Sequence, residues 1–109
     1  MNAPAERYAA GPAIPDLRRL HAFVVVAEEL HFRRAAERLV MAQSPLSRMI
    51  KGLEHDIGAE LFTRSRRSVK LTAAGQTMLA DARELLISAE RAVDRARRLD
   101  SPQAVPRSG

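Results

Sequence analysis

The chain has 109 residues, 46% of them apolar but only 4% aromatic, which suits one small domain with an aliphatic core plus an accessory element. It contains no cysteine, which excludes disulfides and thiolate metal sites and fits a reducing cytoplasm. The net charge is +5, and no apolar run nears the roughly 20 residues needed to span a bilayer, so a polyanionic partner is favoured over a membrane.

Residues 1–14 carry Pro4, Gly11, Pro12 and several alanines without an apolar period or a secretion-type apolar segment, and read as a flexible arm. Pro15 holds the chain extended before Asp16, a natural cap for a first helix. Leu17, Leu20, Val24 and Ala27 recur at helical spacing, with Phe23 and Leu30 beside them. A short second helix is predicted from Arg33 to Leu39, its inner face formed by Ala35, Ala36 and Leu39. Val40, Met41 and Ala42 make a tight connection without Gly or Pro. The third helix is predicted from about Ser44 to Ile57. Pro45 lies in its first turn, Leu46, Ile50, Leu53 and Ile57 form a buried stripe, and Gly58 ends it in a left-handed conformation.

Leu61–Arg64 and Ser68–Leu71 read as a hairpin whose tip, Ser65-Arg66-Arg67, is basic. Thr72 caps a fourth helix reaching about Leu99. Along it Met78, Ala82, Leu85, Ala89, Ala92, Ala96 and Leu99 alternate four and three apart, flanked by Leu79, Leu86 and Val93, a heptad seam. Such a stripe outruns a domain of this size, and a second copy of the helix is its expected cover. The alternatives are the same chain or a further domain. Residues 100–109 read as a linker.

The fold class is therefore mainly α: a winged helix-turn-helix over 15–72, with the helix-turn-helix motif at about 32–51, followed by a dimerisation helix over 73–99. The charge follows this plan. Residues 33–70 hold nine basic and four acidic side chains, while 71–100 hold five of each. Arginine outnumbers lysine sixteen to two, and the guanidinium fork suits phosphates and guanine edges.

Helix, helix, turn, helix, basic hairpin and long helix together resemble the LysR-type transcriptional regulators over about residues 15 to 99. The resemblance is carried by Asp16-Leu17-Arg18-Arg19-Leu20, Phe32–Leu39, Ala42-Gln43-Ser44-Pro45-Leu46-Ser47-Arg48, Leu53-Glu54, Ile57-Gly58, Leu61-Phe62, Arg64 and Leu71-Thr72-Ala73-Ala74-Gly75. Arg33, where the family pattern has a small or hydroxyl residue, Ala42, where serine is frequent, and Met49, where glutamine is common, depart from it. The resemblance implies double-stranded promoter DNA as partner, a homodimer, tetramers and a contact with RNA polymerase in full-length form, and a small-molecule inducer held by a C-terminal domain that this chain lacks. No cofactor is expected in the chain itself.

Base reading is assigned to the third helix. Gln43 suits adenine, Arg48 guanine and Pro45 a thymine methyl, with Ser44, Ser47 and Lys51 beside them. Phosphate or minor-groove contacts fall to Arg33, Arg34, Arg64, Ser65, Arg66, Arg67 and Lys70. Arg38 ranks lower because Glu37 or Glu54 can neutralise it. A polar helix face is most often merely solvated, and what argues otherwise is the basic hairpin beside it. His21, His31 and His55 lack ligand spacing, so no metal site is expected. No nucleophile–base set or phosphate-binding glycine loop is present, which leaves an enzyme without support. A pure protein-docking module would call for an apolar exposed face instead of an arginine-rich one.

Overall fold

The computed structural model describes residues 14–100, so the flexible arm and the final linker expected from the sequence fall outside the described residues, apart from Ile14 and Asp100. Four helices and one two-stranded antiparallel sheet follow in the order α1 (Leu17–Glu29), α2 (Phe32–Arg38), α3 (Gln43–Ile57), β1 (Phe62–Arg64), β2 (Val69–Leu71) and α4 (Ala73–Asp100). This is the predicted winged helix-turn-helix with a long terminal helix.

The Asp16 backbone is extended, and its Oδ1 accepts from the Arg19 amide at 2.8 Å, satisfying one of the amides a helix start leaves open. α1 is not the one-sided stripe expected. Seven of its residues are buried (Leu20 and the run Ala22–Ala27), because α2, α3 and α4 all pack on it. Leu17 and Leu30, expected at the core, are instead 47% and 41% exposed, since they lie at the ends of that packing. Phe23 and Val26 are fully buried, each contributing roughly 1.5–3 kcal/mol of burial.

α2 starts one residue earlier than predicted. His31 Nδ1 accepts from the Arg34 amide at 3.1 Å and caps it. Ala35 and Ala36 are buried, which lets α2 lie close to its neighbours. The turn that follows closes through Val40 N to Glu37 O and Met41 N to Ala36 O. Val40 adopts φ +54° with its side chain 90% exposed, a conformation that β-branched residues rarely take.

α3 is preceded by Ala42, which supplies no side-chain cap, and is closed by Gly58 with φ +74° as expected. Leu46, Ile50 and Leu53 are fully buried, and Ile57 is half-buried. The strands are each shorter than predicted and pair Phe62 with Leu71, Thr63 with Lys70 and Arg64 with Val69. The turn spans 65–68 instead of 65–67 and is organised by Ser65, whose Oγ accepts from the amides of Arg67 and Ser68, both at 3.2 Å.

Thr72 caps α4 as predicted. Its Oγ1 accepts from the Gly75 amide at 2.9 Å and donates to Glu60 O at 2.7 Å. The 28 residues of α4 extend for about 42 Å. The heptad seam divides along that length. Ala82 is only 1% exposed, and Met78, Leu79 and Leu86 pack half-buried on the core of the same chain, mostly against α1. Ala82 is thus occupied within the chain, contrary to the expectation that a second copy covers it, and Met78, Leu79 and Leu86 are partly so, because α4 leaves the wing alongside α1. Leu85 and Val93 stay about half exposed, Ala89 is half-buried, and Ala96 and the rest of the last turns are exposed. Ile87, outside the heptad pattern, is also 46% exposed.

Candidate nucleic-acid interface

The buried stripe of α3 determines what its other side presents. Ser44, Arg48, Lys51 and His55 each lie two residues before a member of the stripe Leu46, Ile50, Leu53 and Ile57, about 200° around the axis, and all four are exposed. Gln43 is exposed at the start of the helix, with Pro45 and Ser47 partly covered beside it. The predicted base-reading residues are thus gathered on the free face and first turns of one helix.

The wing stands beside this helix. A cleft of about 490 Å³ brings Gln43 together with Arg33 from the start of α2 and with Arg64, Arg66 and Arg67 of the wing. A second groove, of about 720 Å³, runs between Lys51 and His55 of α3 and Thr63 and Arg64 of β1. Lys70 is exposed on β2 opposite Thr63.

The ion pairs separate the basic residues of α2, α3 and the wing into two groups, while Arg18 and, on α4, Arg91, Arg95, Arg97 and Arg98 are also outside any ion pair among the described residues. Arg19 bonds Asp56 at 2.6 Å, Arg34 approaches Glu29 at 3.4 Å, and Arg64 bonds Glu54 at 3.1 Å. Arg38 bonds Glu28 at 3.0 Å and Glu29 at 3.1 Å, and Arg83 bonds Glu28 at 3.1 Å. Arg38 therefore pairs across to α1, not with Glu37 or Glu54 as the sequence suggested. Burial raises the Glu28 pKa, but hydrogen bonds from Arg38 and Arg83 outweigh it and hold the carboxyl below its ordinary value. The Arg19 hydrogen bond likewise lowers Asp56. In contrast, Arg33, Arg48, Lys51, Arg66, Arg67 and Lys70 take part in none of the ion pairs among the described residues. All six are exposed, on α3, the wing or the start of α2.

Three site residues therefore differ from their sequence reading. Arg64 is held by Glu54 and lies over the Phe32 ring at 4.9 Å. Arg34 faces Glu29, and Ser65 uses its hydroxyl oxygen inside the turn. Glu54 itself escaped the sequence reading of the site. Its only signals were its place in Leu53-Glu54 and a carboxylate one turn before the helix-ending glycine. No cluster of three His, Asp or Glu side chains capable of holding a metal occurs among the described residues.

A recognition helix beside an unneutralised basic wing defines a winged helix-turn-helix of the nucleic-acid-binding class. Residues 17–76 match the family described as "Bacterial regulatory helix-turn-helix protein, lysR family", and the chain belongs to that family. It is 54% identical over 89 residues to the uncharacterized HTH-type transcriptional regulator YnfL of Escherichia coli K12, covering 82% of this chain and 30% of that protein. It is 55% identical over 74 residues to the regulator ShiR of Corynebacterium glutamicum, covering 68% of this chain and 25% of that one. The chain thus spans less than a third of either relative. Among solved structures it resembles the CbnR DNA-binding domain in complex with DNA, at 41% identity and TM-score 0.76 over 80% of this chain and all of that one. It also resembles the BenM DNA-binding domain with catB site 1 DNA, at 40% identity and TM-score 0.77 over 80% of this chain and 97% of that one.

Proposed function

We propose that this chain is the DNA-binding part of an inducer-responsive regulator that holds a dyad-symmetric promoter site as a homodimer. The observation that carries this is the charge partition. Five arginines are neutralised by carboxylates of the fold, while the six cations of α3, the wing and the start of α2 take part in no ion pair among the described residues, and double-stranded DNA supplies the missing anions. α3 enters the major groove, with Gln43 on adenine, Arg48 on guanine, Pro45 against a thymine methyl, and Ser44, Ser47 and Lys51 alongside. Arg66 and Arg67 approach the minor groove, and Arg33 and Lys70 hold phosphates. Arg34 and Arg64, each facing a carboxylate, support these contacts from behind.

The exposed remainder of the α4 seam (Leu85, Ala89, Val93 and Ala96) joins two copies. Tetramers, a contact with RNA polymerase and an inducer-binding domain belong to the full-length protein. The chain itself performs no catalysis, needs no cofactor and works in the cytoplasm. No helix among the described residues is long and apolar enough to cross a membrane.

The test is selection from a random duplex library at near-physiological salt. Enrichment of a dyad-symmetric motif is expected. Binding without enrichment, persisting only at low salt, would mean that the chain grips DNA by charge alone.

A further inference from the structure

Besides the shared apolar core, the wing is tied to the recognition helix by hydrogen bonds to one α3 side chain, Glu54. β1 has three residues, and the backbones of α3 and the strands approach each other little. Glu54, in the last turn of α3 and only 13% exposed at its side chain, bridges the gap with both carboxylate oxygens. Oε2 accepts from the amides of Leu61 at 2.8 Å and Phe62 at 3.2 Å, at the start of β1. Oε1 accepts from Arg64 Nη2 at 3.1 Å, at the end of β1. Arg64 then lies over Phe32 at 4.9 Å, and Phe32 meets Phe62 edge to face at 6.2 Å between centroids. One carboxylate thereby grips both ends of the strand that leads to Arg66 and Arg67.

We infer that Glu54 is a positioning residue for DNA recognition, setting the tilt of the wing against α3 so that Arg66 and Arg67 meet the duplex while Gln43 and Arg48 occupy the groove. The inference rests on the DNA-binding reading above. An ionised carboxylate accepts from all three donors at once, whereas an amide has one accepting oxygen and turns an N–H₂ toward groups that are themselves donors. Loss of the charge also frees the Arg64 guanidinium, which borders both grooves. The wing keeps its hairpin but loses its fixed angle.

The experiment measures binding of the whole chain to a duplex bearing the motif recovered by selection, and to a scrambled duplex, across a salt series. Glu54→Gln is expected to weaken binding to the selected duplex about tenfold and to reduce the salt slope by about one to two, the withdrawal of one or two wing-tip cations from the duplex. In an Arg66→Ala/Arg67→Ala background the same substitution is expected to change nothing further, because the groups it positions are gone. Arg64→Lys, which keeps the charge but not the fork or the stacking, gives the same pattern and carries the test if Glu54→Gln unfolds. Wild-type affinity and slope in both variants would overturn the inference. So would an equal weakening with and without the wing-tip arginines, which marks a general loss of fold. Failure of the wild-type chain to prefer the selected duplex would remove the DNA reading itself.

Discussion

Gly75 and Gly52 are both helical glycines, and the structure gives their replacement by alanine opposite signs. Helix propensity alone predicts that either change stabilises by up to about 1 kcal/mol. At Gly52, in α3, an added Cβ meets only the Arg19 guanidinium at 3.7 Å, an ordinary contact, so the full gain is expected. At Gly75, in the first turn of α4, the added Cβ overlaps the backbone carbonyl oxygen of Leu61 and comes 2.7 Å from Leu71 Cδ2. That carbonyl also accepts from the Thr72 amide at 3.0 Å, so it cannot retreat without losing a bond. Overpacking of this kind costs about 1–3 kcal/mol, and the strained bond adds about 1 kcal/mol. With the propensity gain subtracted, Gly75→Ala destabilises by about 2 kcal/mol, a fall of roughly 10 °C in Tm for a domain of this size. Thermal unfolding followed by circular dichroism, at one protein concentration because a dimer makes Tm concentration-dependent, reads both variants. A Tm for Gly75→Ala at or above wild type would refute the close approach of α4 to the wing base.

Arg48→Ala is expected to cost about 1–3 kcal/mol at one base pair of the selected site while leaving non-specific binding nearly unchanged. Competition between single-base variants measures it, and equal discrimination by the two proteins would remove Arg48 from base reading. Replacing Arg66 and Arg67 together by alanine should weaken binding to many sequences alike and flatten the salt slope by about two. Val40→Asn relieves a left-handed β-branched residue whose side chain packs on little, and should stabilise by about 0.5–1 kcal/mol, seen as a higher urea midpoint at unchanged m-value. The Glu28 and Asp56 carboxyls are held below their ordinary values when folded, so the stability they lend is present above about pH 4–5 and is lost as the pH falls through their depressed folded values. Glu28→Gln should therefore lower the urea midpoint at pH 7 and make its fall in acid shallower, and an unchanged acid limb would dismiss the Arg38–Glu28–Arg83 link.

Much of this protein was legible from residue order because the signals are local. Asp16 and Thr72 cap helices with their own side chains, Gly58 ends one through its left-handed backbone, and the Leu46–Ile50–Leu53 period sets which side of α3 turns outward. Each depends on neighbours within a turn or two, and the placing of Gln43, Arg48 and Lys51 on one exposed face follows from helix geometry alone. What only the tertiary structure decided involves residues far apart in the chain. Seven residues of α1 are buried, more than one stripe, because three helices converge on it. Ala82 belongs to the chain's own core, with Leu86 packed half-buried against it, because α4 runs back along α1, and no period can say which partner covers a seam. Charge pairing is the clearest case. Arg38 finds Glu28 and Glu29 ten and nine residues back, Arg83 finds Glu28 across 55 residues, and Arg64 finds Glu54 across ten. Which arginines are spent on the fold and which face outward depends on distances of a few ångströms between helices, because an ion pair forms only where the folded chain brings its two charges together.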